Sequence, residues 1–197
     1  SMEELKKLNS SKDKKFIITT SRLVPKNAVD DVIKSLVYLP SNYEFLIIGD
    51  GPQKEYLKKI ACEEILENRV MFLGQMDHKE IPKYLKASDV FIRPSITEGM
   101  GNSFIEAMAA GIPVIATPVG GIVDFLFDPD KNQDKAPTGL FCNVRDPKSI
   151  AEKVLKITED TDLRDKMVKN AKIMAVEKYD WDILAPEMKE IFFKLFK

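Results

Sequence analysis

The chain has 197 residues, enough for one domain with a substantial core and no need of a covalent or metal staple. Hydrophobic residues make up 44% and charged residues 31%, the balance of an ordinary soluble fold. Its 30 basic and 31 acidic side chains leave a net charge of −1, which argues against nucleic-acid binding and against an acidic solvating tail.

The opening Ser1-Met2, followed by Glu3, Glu4, Lys6 and Lys7, reads as a cloning remnant and a linker over residues 1–14. The domain is then expected over 15–197, as part of a longer natural protein. Residues 16–20 are a short apolar, β-branched run, the mark of a buried strand. Val32, Ile33, Leu36 and Val37 recur at helical spacing within 30–39. A second strand over 44–48 ends at Gly49-Asp50-Gly51-Pro52, and Pro52 suits the first turn of a helix reaching about Glu67. Strands follow at 69–73 and 89–92, separated by a short helix at 81–86. A helix at 103–110 leads to a fifth strand at 113–116, then one or two helical turns over 122–127. The polar, Pro-flanked 128–137 reads as a surface loop before a sixth strand at 139–141. Three helical stretches close the chain near 147–158, 160–177 and 181–196. The last carries Met188, Ile191, Phe192, Leu195 and Phe196 on one stripe, which suits packing on this domain or on an absent one better than on a membrane.

Apolar strands alternating with helices imply an α/β fold, a Rossmann-like, doubly wound parallel sheet of about six strands with C-terminal helices. Ligands of such sheets sit beyond the carboxyl ends of the strands, where the strand order reverses. The loops after the strands, at 21–27, 49–52, 74–76, 93–102 and 117–121, are therefore the candidate site. No stretch reads as a membrane span: the most apolar, 104–123, contains Glu106, Pro113, Pro118 and three glycines. Cys62, Cys142 and the single His78 have no metal-ligand spacing, so no metal is expected. Without a secretion signal the cysteines read as reduced thiols of a cytosolic protein. His78 reads as a surface residue.

The densest chemical signal runs from Arg93 to Pro113: a strand end, a loop holding Glu98, Gly99, Met100, Gly101 and Asn102, and a helix opening near Ser103. Unpaired N–H groups and the helix dipole make such a helix start a seat for phosphate, and the glycines allow close approach. Glu98 lies before the helix and Glu106 one turn inside it, so the two acids can face different parts of one ligand. Ser103-x-x-Glu106 is also a capping-box pattern, in which Glu106 would only reach back to a backbone N–H. Asn27 is placed to cap the helix after the first strand. Gly120-Gly121 fits a tight turn near the cleft or a plain loop.

Glu98 and Glu106, eight positions apart and followed by Ala-Met-Ala-Ala-Gly-Ile-Pro-Val-Ile-Ala-Thr-Pro-Val-Gly-Gly, resemble the signature of the retaining glycosyltransferases called group 1, or family four, of the GT-B fold. Four further blocks match in the same order: residues 21–26 (SRLVPK), 47–52 (IIGDGP), 70–74 (VMFLG), and 139–141 followed by Asp146-Pro147. The resemblance implies the C-terminal, donor-binding domain of a hexosyltransferase that takes its sugar from a nucleoside diphosphate linked through UDP, GDP or ADP. It implies that Glu98 grips sugar hydroxyls and that Glu106 binds the ribose. Backbone N–H groups around Gly99, Met100, Gly101, Asn102 and Ser103 would hold the diphosphate. Arg22 and a nearby lysine, here Lys26, would neutralise the leaving group. Gly51 falls in one matched block, and Leu73 marks the backbone that reads the base. The family's usual Gly-Arg-Leu is Ser21-Arg22-Leu23 here, and its later Lys-Gly is replaced by Lys26-Asn27.

By the same resemblance no metal or cofactor is needed. An amino-terminal acceptor domain of the same chain is the expected partner, and the fragment alone should be inactive. The setting implied is cytoplasmic, peripheral at the inner membrane face through the full-length protein, in a bacterial surface-glycan pathway. A non-catalytic nucleotide-sugar-binding or regulatory module is the alternative. A Rossmann dehydrogenase is disfavoured because residues 21–28 contain no glycine, and a P-loop enzyme because no Gly-Lys-Ser/Thr occurs.

Overall fold

Six strands form one all-parallel sheet: β1 (Lys15–Thr20), β2 (Tyr43–Ile48), β3 (Val70–Gly74), β4 (Val90–Arg93), β5 (Val114–Ala116) and β6 (Leu140–Phe141). Their order is β3-β2-β1-β4-β5-β6, the doubly wound arrangement expected from the alternation of elements. The computed structural model describes residues 13–195. Most of the expected linker, 1–12, lies outside the described residues, as do Phe196 and the Leu195 side chain. Asp13 and Lys14, at the end of that linker, touch the connection and strand beside β1: the Asn42 amide donates to the Asp13 carbonyl at 2.8 Å, and Lys14 pairs with Glu44.

Alternate residues of each central strand enter opposite cores, as a parallel sheet covered on both faces requires. Ile17, Phe45, Ile47, Val90, Ile92 and Ile115 point to one side, against helices α1 (Val29–Ser35), α2 (Lys54–Glu63) and α5 (Pro147–Glu159). Phe16, Ile18, Leu46, Phe91 and Val114 point to the other, against α3 (Ile81–Lys86), α4 (Asn102–Ala110) and α6 (Thr161–Tyr179). There Phe91, Phe104 and Phe125 stack in sequence at 5.6 and 6.0 Å between ring centres. The last two helices over the domain start at side-chain caps: Asp146 accepts from Ser149 N–H at 3.0 Å and Asp160 from Leu163 N–H at 2.9 Å.

The sheet splits at its centre. β1 is hydrogen-bonded to β2 along all of Lys15–Thr20, but its ladder with β4 holds only Ile17 opposite Val90 and Ile18 opposite Phe91. At the lower end the Asp89 carboxylate staples the pair, accepting from Phe16 N–H at 2.7 Å and from Lys15 at 3.2 Å. Above Ile18 the ladder between the two strands ends, and the crevice begins at Thr20.

Several element boundaries differ from the expectation. The helix expected over 30–39 is α1 followed by a 3-10 turn, Leu36–Tyr38. The helix expected from Pro52 to Glu67 is shorter, Lys54–Glu63, and a 3-10 turn, Glu67–Arg69, leads into β3. Arg69 is thereby placed to donate to the carbonyls of Tyr43, Leu36 and Pro40, each at 2.9 Å, and so fastens the start of β3 to the connection between α1 and β2. The helical turns expected over 122–127 are a 3-10 segment, Gly120–Asp124. The 128–137 loop is not wholly superficial. Asp128 is buried, and its carboxylate accepts from Phe141 N–H at 2.6 Å, fastening the loop to β6.

α1 is anchored by charge at its start. Asp30 takes both ends of the Arg145 guanidinium at 2.9 and 3.0 Å, and Asp31 lies 3.1 Å from the same group. Burial, reinforced by the Asp30 charge, pushes the Asp31 carboxyl up to about 6. Both cysteines are free thiols, Cys62 exposed and Cys142 buried; burial pushes the Cys142 thiol up to about 12.

The closing helix α7 (Trp181–Leu195) is the least covered element described. Trp181 is 71% exposed, and Met188, Ile191 and Phe192 stand in solvent with it. The expected stripe is therefore not packed on this domain. Among the described residues no helix is long and apolar enough to cross a membrane.

Candidate functional site

The parting of β1 and β4 opens a cavity of about 480 Å³ at the carboxyl ends of the strands. Thr20, Ser21 and Arg22 line one wall; Arg93, Ser103 and Glu106 line the opposite wall. Gly49, Asp50, Gln75, Met76, His78 and Ile81 contribute to the flank. These positions are the ones a doubly wound sheet offers a ligand.

The first wall follows directly from β1. After Thr20 the chain runs beside the loop that leaves β2: Ser21 N–H donates to Ile48 at 3.0 Å, Leu23 N–H to Asp50 at 2.9 Å, and Gln53 N–H to Leu23 at 3.1 Å. Gly51 makes this approach possible, since a Cβ there would lie 2.4 Å from the Leu23 carbonyl oxygen. Arg22 projects into solvent, and its guanidinium has no hydrogen-bond or ion-pair partner among the described residues. Asn27 does not cap the following helix. Its side chain is buried and donates to the Arg22 carbonyl at 2.7 Å, bracing the loop that carries the arginine. Ala28, in the left-handed region at φ 50°, takes the capping position instead. The hydroxyls of Thr19, Thr20 and Ser21 are buried without a hydrogen-bond partner among the described residues.

The second wall is an interlocked loop. Arg93 ends β4 and is only 7% exposed. Its Nη2 donates to Glu98 Oε2 and its Nη1 to Ser103 Oγ, both at 2.6 Å, while Cζ stands 4.4 Å from the centre of the Phe104 ring. The other Glu98 oxygen accepts from Gly99 N–H at 3.1 Å and lies 3.8 Å from Lys26 Nζ. Thr117 donates its hydroxyl to the Ser95 carbonyl, and Gly121 N–H donates to Gly99 at 2.8 Å, so the Gly120-Gly121 turn rests on the back of this loop. Ile96 N–H donates to Lys26 at 2.7 Å and joins the two walls outside the cavity.

The capping box does not form. α4 starts at Asn102 with Gly101 as its N-cap, at φ 72° and without a side-chain cap. Ser103 is held by Arg93 instead, and Glu106 is exposed toward the cavity with no hydrogen bond among the described residues. The structure thus brings Arg22, Ser103 and Glu106 to one cavity, with Glu98 and Lys26 paired to each other beside Arg93. Gly99, Met100, Gly101 and Asn102 make the turn into α4. Neither Gly51 nor Leu73 lines the cavity: Gly51 serves the backbone approach to Leu23, and Leu73 packs against the α3–α4 core. Gln75 and Met76, just after β3, stand where Leu73 was expected to contribute. His78 is exposed, as expected, but at the mouth of the cavity.

Arg93 was not singled out as a site residue, although it stands in the densest motif. The signal was a permanent cation closing an otherwise apolar strand, Val90-Phe91-Ile92. Among the described residues no group of three or more His, Cys, Asp or Glu side chains is arranged to hold a metal ion.

The sequence family described as glycosyl transferases group 1 matches residues 1–174. This chain belongs to the group 1 glycosyltransferases. The family match includes the residues expected to be linker. Over 182 residues this group 1 glycosyltransferase chain is 30% identical to an uncharacterized glycosyltransferase of Methanocaldococcus jannaschii, with 91% of the chain and 45% of the relative covered. It is 27% identical over 199 residues to the N-acetyl-alpha-D-glucosaminyl L-malate synthase of Bacillus anthracis, covering all of the chain and 50% of that protein. The fold is that of Anabaena HepE, solved in complex with UDP and glucose: the TM-score is 0.86 at 24% identity, over 98% of this chain and 53% of that one. The chain spans about half the length of the curated relatives it matches.

Proposed function

We propose that this chain is the donor-binding half of a retaining hexosyltransferase, and that a nucleoside diphosphate sugar occupies the cavity between β1 and β4. The carrying observation is convergence. Arg22, distant in sequence from Ser103 and Glu106, lines one cavity with them at the start of a helix whose first N–H groups are uncapped by side chains. A diphosphate seated there would meet oriented N–H donors on one wall and an unpaired guanidinium on the other. Breaking the anomeric C–O bond leaves negative charge on the departing diphosphate, and these groups stabilise it as it develops. The anomeric C–O bond to the diphosphate breaks as the acceptor oxygen bonds to the anomeric carbon with its configuration kept, and the acceptor's proton passes to the departing diphosphate oxygen. Glu106 takes the ribose hydroxyls, and Glu98 takes the sugar. Lys26 adds a second positive charge once it is drawn away from Glu98, and no metal or cofactor takes part. The ligands of HepE, UDP and glucose, support this reading.

The acceptor site then lies on an amino-terminal half of the full-length protein, which the apolar face of α7 would help to hold. The setting is the cytoplasm, at the inner membrane face, in the synthesis of a surface glycan or lipid-linked sugar. Calorimetric titration with UDP, GDP and ADP tests the donor site: one of the three should bind weakly, and binding by none would remove the site. The isolated chain should transfer no sugar, and robust transfer would end the half-enzyme reading. One observation favours a non-catalytic nucleotide-sugar module instead, namely that Lys26 lies beside Glu98 rather than on the cavity wall.

A further inference from the structure

Arg93 is a fixed cation in a place that disfavours one. It follows three apolar residues of β4, is 7% exposed, and rests on the face of Phe104. Burial pulls its pKa below the ordinary value, against the opposing pull of the Glu98 and Glu106 charges. A buried charge is tolerated better when it is paired and hydrogen-bonded; both terminal nitrogens are committed to one loop, while Nε is buried without a partner among the described residues. Nη2 holds Glu98 at 2.6 Å and Nη1 holds Ser103 at 2.6 Å. The turn between them is fitted to the same group, since a Cβ on Gly101 would lie 2.5 Å from Nη2. A lysine offers one point charge and lacks the planar fork that reaches two partners at once.

We propose that Arg93 is a positioning residue: it acts through Glu98, fixing one carboxylate oxygen so that the sugar meets a preset hydrogen-bond acceptor, while its bond to Ser103 ties that loop to the first turn of α4. This rests on the nucleotide-sugar reading given above. Arg93 spends its terminal nitrogens on the protein, so its effect on a ligand is carried by the Glu98 carboxylate. Loss of such support typically costs tens of fold or more when geometry is tight.

The test is a double-substitution cycle read by calorimetry. The probes are whichever of UDP, GDP and ADP binds the unaltered chain, and the glucose ester of that nucleotide. Arg93→Met is expected to weaken the ester by about tenfold or more while weakening the bare diphosphate by less than about threefold. In a Glu98→Gln background the same change should weaken the ester no further, because the carboxylate through which it acts is gone. Arg93→Lys should recover only part of the loss. Equal losses on both probes would make Arg93 a direct diphosphate ligand and overturn the proposal, as would full losses in the Glu98→Gln background or no loss at all. Melting curves accompany each variant, and if Arg93→Met does not fold, Arg93→Lys, which keeps the charge over Phe104, carries the same cycle. An unaltered chain that binds none of the three diphosphates indicts the nucleotide-sugar reading itself, a result distinct from any pattern among the variants.

Discussion

The two walls of the cavity are built on opposite plans. The β4 wall is tied to itself: Arg93, Glu98, Ser103 and the Phe104 ring form one connected set, backed by Thr117 and Gly121, although Arg93 Nε and the Ser95 hydroxyl are buried without a partner among the described residues. The β1 wall is less tied: the Thr20 and Ser21 hydroxyls are buried without a partner among the described residues, and the Arg22 guanidinium faces solvent. One wall is held by its own contacts, and the other presents a free cation. Stability and affinity should therefore separate between the walls.

The largest effect expected is on the closed wall. Phe104→Ala removes the ring beneath Arg93 and opens a cavity between Phe91 and Phe125, costing about 3–5 kcal/mol of stability in denaturant unfolding. A loss below about 1 kcal/mol would mean the wall is not held from beneath. On the open wall, Arg22→Ala should leave the melting temperature unchanged and lower turnover of the full-length enzyme by about 10²–10³-fold. Unchanged turnover would point to a non-catalytic module. Glu106→Ala comes next: affinity for the bound diphosphate should fall about tenfold with no thermal loss, because the side chain caps nothing. Thr20→Val is smaller still. Removing a buried, unpartnered hydroxyl should shift stability by less than about 1 kcal/mol and leave nucleotide affinity as it was, and a clear loss of stability would show the hydroxyl to be paired.

A control lies outside both walls. The folded Asp31 carboxyl titrates at about 6, above its ordinary 3.8, so the folded chain keeps a proton that the unfolded chain has lost across that window. This group's contribution to stability is full below about pH 4 and is lost as the pH rises through 6. Asp30, Arg145, Lys34 and Asp146 set that environment. Asp31→Asn should flatten the decline in melting temperature between pH 4 and 6 and leave nucleotide binding as it was.

The order of strands and helices was legible because each strand is an unbroken apolar run, as at Phe45 to Ile48, and each helix shows its spacing. The helix ends were less so. Glu63 and Glu67 differ little in propensity, and the chain leaves α2 to let Arg69 reach three carbonyls, a long-range demand that no local window records. At the site, Arg22, Ser103 and Glu106 were found because each belongs to a motif at a strand or helix end. Asn27 and Ser103 were given capping roles by local pattern, and both are claimed by longer-range partners, the Arg22 carbonyl and the Arg93 guanidinium. Arg93 went unassigned because a cation inside a signature block is read with the block, and its three partners become visible only when the loop is closed.

The early end of the ladder between β1 and β4 has a consequence for how such a chain can change. The crevice is a fork in the main chain, held open by which peptide groups pair and which do not. Side chains decorate the fork without creating it. If the cavity is the donor site proposed above, replacing Gln75 or Met76 would alter what is recognised while the frame stands, and a single scaffold could be retuned by a handful of substitutions.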